Sequence, residues 1–175
     1  QIQNPLSGWK ARFFPTHVHD VALGNDALIV GNSGNDLVFS TVRLDTHATP
    51  VSGYIQRNAV QSESRTHGFF YQPQAERAGL LGLPILGESA SVKYLRNKNL
   101  QLSDVGELSA RARPPRDDAC QASCVDWYGN ARPIFIGNRI YALMGYELVE
   151  GRIGRDDSLS EIRRTDYAPL INAPR

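Results

Sequence analysis

Apolar residues along the chain come in runs of about four to seven, broken by Gly, Asn and Asp at intervals too short for helices of ten or more residues. The pattern predicts strands. Val21 to Val30 reads as two short strands with Asn25-Asp26 between them, and Leu37 to Leu44 as the next. Phe69 to Tyr71 and Ala78 to Ile85 flank a polar loop and read as a hairpin, with Gly79 and Gly82 inside the second strand. Ala90 to Leu95 follows, then a turn at Asn97-Lys98-Asn99 and a strand at Leu100 to Leu102. The last group is Pro133 to Ile136, a turn at Gly137-Asn138, Ile140 to Met144, Glu147 to Ile153, a turn at Arg155-Asp156-Asp157, and Glu161 to Tyr167.

An internal echo narrows the architecture. Gly24-Asn25-Asp26-Ala27-Leu28-Ile29-Val30-Gly31 returns as Gly137-Asn138-Arg139-Ile140-Tyr141-Ala142-Leu143-Met144-Gly145, a Gly-Asn turn feeding an apolar strand. With the strand pair from Phe69 to Pro84 between them, three units of about 40 to 50 residues fit the chain, the length of four-stranded blades. The expected fold is all-β, with antiparallel four-stranded blades forming a partial β-propeller of about three blades. The units are expected at roughly 13–60, 65–110 and 120–170 of a single propeller fragment. Ser109 to Asp118, rich in Arg and Pro, reads as an exposed extended loop.

Four segments carry a family likeness. They are Phe13-Phe14-Pro15-Thr16-His17-Val18 through Leu28-Ile29-Val30-Gly31, and Leu37 to Leu44 followed by Thr49-Pro50-Val51. The third is His67-Gly68-Phe69-Phe70-Tyr71-Gln72-Pro73 with Gly79-Leu80-Leu81-Gly82-Leu83-Pro84, and the fourth is Pro133 to Tyr146. In these the chain resembles the C-terminal part of the secreted bacterial and archaeal β-propeller domain family. The resemblance implies a propeller fold and a secreted, periplasmic or cell-surface location; it brings no established chemistry. Members are several times longer, so the earlier blades are absent here, and the segment around Cys120 to Cys124 looks like an insertion.

Composition adds bounds. The 175 residues suit one domain, and 41% hydrophobic with 21% charged residues is a globular balance. A formal net charge of +1 supplies no field to attract nucleic acid. The apolar run from Ala78 to Leu86 falls short of the roughly 18 residues a membrane helix needs, so no membrane span is expected. Gln1-Ile2-Gln3-Asn4-Pro5 has neither methionine nor a basic n-region, and is expected to be a processed or excised start. Three blades leave open faces and sheet edges, so a cover is expected. It would be the N-terminal part of the same precursor, a second copy, or another protein chain.

Few side chains suggest chemistry. Cys120 and Cys124 are the two cysteines, and in an oxidising compartment a disulfide clamping their loop is the plain reading. A thiolate site for a soft ion such as Cu(I), or reduced inert thiols, are the alternatives. His17 and His19 alternate along one strand and, with His67, are candidate metal ligands; a polar strand edge satisfied by its neighbours is the competing account. No other cofactor is expected. Trp127 and Tyr128 follow the cysteine loop as a candidate binding surface or as packing between blades. Asn32 to Asp36 has too few oxygens for calcium and reads as a hairpin turn. Glu147 and Glu150 read as solvated charges. No catalytic residue stands out, because there is no G-x-S-x-G elbow and Ser64 is only near His67 in sequence. The expected function is a non-catalytic secreted or cell-surface module for protein binding or assembly. The alternative is a subunit of a secreted or periplasmic enzyme whose site is completed by missing blades or a metal.

Overall fold

The computed structural model describes residues 2–3, 10–11, 19–23, 26–62, 68–75, 77–111 and 131–167. All of its regular structure is β. A short pair, β1 (Ile2–Gln3) and β2 (Lys10–Ala11), precedes three antiparallel sheets. The first sheet runs β3 (His19–Leu23), β4 (Asp26–Ser33), β5 (Asp36–Leu44) and β6 (Ala48–Gln56) in chain order. The second is β8 (Phe70–Ala75), β9 (Ala78–Leu86), β10 (Ala90–Lys98) and β11 (Gln101–Ser109), with two-residue β7 (Val60–Gln61) beside the far end of β9. The third is β12 (Arg132–Ile136), β13 (Arg139–Met144), β14 (Glu147–Ile153) and β15 (Leu159–Asp166). The sheets do not close into a ring. No helix among the described residues is long and apolar enough to cross a membrane.

Alternation along the strands decides how the sheets stack, because successive side chains point to opposite faces. Leu28, Val30, Leu37 and Phe39 of the first sheet share one core with Leu81, Leu83, Ile85 and Leu95 of the second. Leu80, Val92, Tyr94 and Leu108, from the other face of the second sheet, share a separate core with Ile140, Ala142, Met144 and Val149 of the third. The second sheet is therefore the filling between two others. That is why β9 is a near-continuous apolar run, AGLLGLPIL, buried over seven consecutive residues.

Directional bonds join the sheets where the apolar contacts end. Thr41 Oγ1 donates to the Leu100 carbonyl at 2.6 Å, and the Leu102 amide donates to Ser52 Oγ at 3.2 Å. Tyr94 Oη, fully buried, donates to the Tyr141 carbonyl at 2.7 Å, and burial raises its pKa. Gly82 sits where the third sheet comes closest: a Cβ there would collide with the Pro133 side chain.

The structure moves several expected boundaries. The polar segment after Phe69 to Tyr71 is not loop, since β8 continues to Ala75 along β9. The turn expected at Asn97-Lys98-Asn99 lies one step on, at Asn99 and Leu100, whose φ values are 52° and 67°. Such a two-residue turn normally takes Asn or Gly at both places. Leucine is held there because its side chain is fully buried and its carbonyl takes the Thr41 bond. β6 was not foreseen as a full strand: Pro50, Ser52 and Gly53 blur its alternation, and an edge strand tolerates the missing N–H of proline. Of the stretch expected to be a loop from Ser109 to Asp118, Ser109 ends β11, and residues 112–118 lie outside the described residues.

Leu100→Gly separates these effects. Glycine relieves a left-handed strain of about 1 kcal/mol but empties a buried leucine site worth about 2–5 kcal/mol. The expected outcome is a net loss of about 2 kcal/mol in urea unfolding. A stabilised variant would show that backbone strain outweighs side-chain packing at this turn.

Candidate functional site

Most of the residues singled out from the sequence lie outside the described residues: His17, His67, Ser64, Cys120, Cys124, Trp127 and Tyr128. His19 opens β3 with its backbone opposite Val30. His47 is exposed in the turn before β6, where its amide donates to Asp45 Oδ1 at 3.1 Å. Among the described residues, no three His, Cys, Asp or Glu side chains gather as metal ligands. Asn32 to Asp36 forms a tight turn with Gly34 at φ 61°, the position that II′ hairpins give to glycine. Asp36 is spent on the Asn58 amide and the Arg57 guanidinium, which together hold its carboxyl below the usual range.

Three polar clusters remain, and the strand register assembles each. The first lies between the first and second sheets. Lys93 is 5% exposed, and its Nζ donates to Asp104 Oδ2 at 2.8 Å and sits 5.4 Å from the centre of the Tyr54 ring. Tyr54 Oη donates to Asp104 Oδ2 at 2.9 Å. Burial pulls the Lys93 pKa down, but the Asp104 and Tyr54 contacts outweigh it and leave it raised. Lys93 is thus fixed as a cation, suited to binding the two sheets together and unsuited to nucleophilic attack.

The second cluster lines a cleft of about 560 Å³ between the second and third sheets. Its polar groups are largely taken. Gln72 Nε2 donates to the Gly137 carbonyl at 2.9 Å. Arg96 Nη1 donates to Gln74 Oε1 at 2.8 Å, and its Nη2 meets Asp157 Oδ1 at 2.8 Å. The Gln72 bond and the Arg96–Asp157 pair tie strands of the second sheet to turns of the third, and Arg139 and Glu150, which also line the cleft, are paired with each other.

The third cluster occupies the face of the third sheet turned away from the second. Glu147 and Glu150, expected to be solvated, are both buried and paired. The reason is cross-strand register. Ile134, Tyr141, Glu150 and Arg163 stand in one row across four strands. Glu150 Oε1 takes Arg139 Nη2 at 2.6 Å and its Oε2 takes Arg163 Nη2 at 2.9 Å, while the Arg139 guanidinium lies 5.1 Å from the Tyr141 ring centre. Burial pushes the Glu150 carboxyl up, but the two arginines hold it below the usual glutamate range. The next row is Arg132, Leu143, Leu148 and Thr165, and Ile136 pairs with Arg139 on the other side. Ile136 is 60% exposed. Among the described residues no sheet lies over this face, on which Tyr141 and Glu150 are buried, Leu143 and Leu148 half-buried and Ile136 exposed.

Glu147 belongs to the opposite face. Its Oε2 takes Arg164 Nη1 at 2.7 Å and the Arg111 amide at 3.1 Å, and Arg164 Nη2 reaches the Ser109 carbonyl at 2.9 Å. Sequence alone gave no sign of these pairs, because the partners sit 17 or more residues apart and meet only through strand register.

No known family profile matches this chain, and no curated protein does. Among solved structures, it is similar to a crystal structure of a protein from Lactobacillus plantarum, a structural genomics target. The likeness has 11% identity and a TM-score of 0.33, covering 91% of this chain and 57% of the other. The chain thus spans a little over half the length of that protein.

The depressed Glu150 pKa gives a pH signature. Its stabilisation is complete above the ordinary glutamate range and is lost as pH falls through the lower folded value. Glu161, depressed by its bond to Arg164, behaves alike. Thermal stability should therefore decline as pH falls below the ordinary glutamate range. Glu150→Gln should be less stable than the parent at pH 7 and show a shallower acid decline; parallel melting curves across that range would exclude Glu150 as a contributor.

Proposed function

We propose that the three sheets are consecutive blades of a β-propeller, and that the chain is a non-catalytic secreted, periplasmic or cell-surface module that binds another protein or assembles into a larger structure. The observation that supports this reading is the face of the third sheet turned away from the second, over which no other sheet lies among the described residues. Leu143 and Leu148 pair there, and Ile136, opposite Arg139, stands on the same face. An exposed Ile136 beside half-buried leucines favours contact with a second polypeptide. The polar clusters support it as well, since Lys93, Arg96 and Glu150 are each engaged in bonds that join strands or sheets. The location rests on the family resemblance and on the disulfide reading of Cys120 and Cys124.

Chain recovered from its own compartment should co-purify with another polypeptide at fixed stoichiometry and should have no thiol open to alkylation before reduction. Ile136→Lys should keep the parent's circular dichroism and weaken that association about tenfold or more, the effect of losing an interface anchor. Stoichiometric copper, zinc or calcium by elemental analysis, with association unchanged in the variant, would overturn this reading in favour of the enzyme subunit.

A further inference from the structure

Strand alternation carries two polar side chains into one corner of the space between the first and second sheets. On β4, Asp26 lies two residues before Leu28, and on β10, Asn97 lies two residues after Leu95. Leu28 and Leu95 belong to the core those sheets share, so Asp26 and Asn97 face the same interlayer space. Their ends of the strands coincide as well. Arg77, next to the start of β9, brings its Nε to 3.2 Å from Asp26 Oδ2, and its carbonyl takes the amide of Asn99, two residues beyond Asn97, at 2.8 Å.

Both side chains are enclosed, Asp26 at 2% and Asn97 at 0% exposure. Asn97 Nδ2 donates to Tyr71 Oη at 2.9 Å, across Gly79, where a Cβ would strike the Tyr71 ring. Asn97 Oδ1 and both carboxylate oxygens of Asp26 are buried and receive no hydrogen bond among the described residues. The Arg77 guanidinium is thus close enough to balance the Asp26 charge without being aligned to donate to it.

All three unpartnered atoms are acceptors. A buried acceptor without a donor has lost its water bonds and gained nothing in return, and folded proteins meet such oxygens with protein groups or ordered water. Enclosure restricts the donor here to something small. Charge restricts it further, since Arg77 already faces the carboxylate and a second cation would be repelled. A neutral water donates two bonds, the number that joins a carboxylate oxygen to an amide oxygen.

We infer that this corner binds one internal water molecule, which donates one hydrogen bond to the Asp26 carboxylate and the other to Asn97 Oδ1. The water continues, toward the turns, the directional link between these sheets that Thr41 makes to the Leu100 carbonyl. It sits beside the two turns of the second sheet that carry left-handed Arg77, Asn99 and Leu100.

Magnetic relaxation dispersion of water oxygen counts the waters a protein holds internally, and it tests this on the full chain. Asn97→Leu and Asp26→Leu each remove one acceptor, and each should hold one long-lived water fewer than the parent, with circular dichroism unchanged. The double variant should also hold one fewer, because the water is shared. An unchanged count in both single variants overturns the inference, as does a double variant that loses two waters. A parent melting temperature that rises with sodium, potassium or calcium at matched ionic strength would put a metal ion in the corner and overturns it equally. Should the variants fail to fold, a crystal structure of the parent decides: density for one water about 2.7–3.2 Å from both Asp26 and Asn97 Oδ1 is expected, and a dry corner refutes it.

Discussion

The double burial of the second sheet is the constraint on which the other features depend. An antiparallel sheet can leave one face in water, and then its strands alternate between apolar and polar residues. β9 and β10 do not have that choice, because both their faces are covered, so almost every residue from Gly79 to Leu95 outside the connecting turn must be apolar, small or internally bonded. The exceptions obey the same rule. Ser91, Lys93 and Asn97 point toward the first sheet from β10, and each meets a polar partner: Glu107, Asp104 and Tyr71 respectively. A buried polar group without such a partner would cost more than the strand gains from it.

Charge follows burial in the same way. The acidic groups with lowered pKa values owe the shift to arginines or to backbone and hydroxyl donors close by, as with Glu150 beside Arg139 and Arg163, and Asp156 beside Ser158. Lys93 and Arg164 are kept charged by carboxylates. Such pairs add little where solvent screens them. Their larger effect is on geometry, since each fixes the register of a strand or the seat of one sheet on another. Arg164 is the clearest case, spanning Glu147, Glu161 and the Ser109 carbonyl of the neighbouring sheet.

The strand class of the chain was legible because apolar runs and Gly-Asn turns are local signals. β14 has the bounds its pattern suggests, Glu147–Ile153, and Gly137-Asn138 is a turn. Strands with mixed faces were not legible. β6 and the later part of β8 sit at sheet margins, where half-exposed positions admit Pro, Ser and Gln, so hydrophobic period is lost. The turn at Leu100 escaped for a different reason: its residue defies turn chemistry and is held by a contact with Thr41, 59 residues away. Pairing of Glu150 and burial of Lys93 likewise depend on which strands become neighbours. The candidate chemistry drawn from Cys, His and Trp positions fell mainly on residues outside the described part, so register, not motif, supplied the site.

Gly82 has a geometric consequence. At Gly82 the second and third sheets are separated by little more than a hydrogen atom and the Pro133 ring, and at Gly106 they come nearly as close over the Leu159 side chain. Between the first and second sheets, Tyr54 and Lys93 stand as larger spacers. The distance between layers thus changes from one contact to the next. The spacing of the layers is written in the sizes of a few side chains: enlarge residue 82, and the second and third layers are pushed apart at the Pro133 ring.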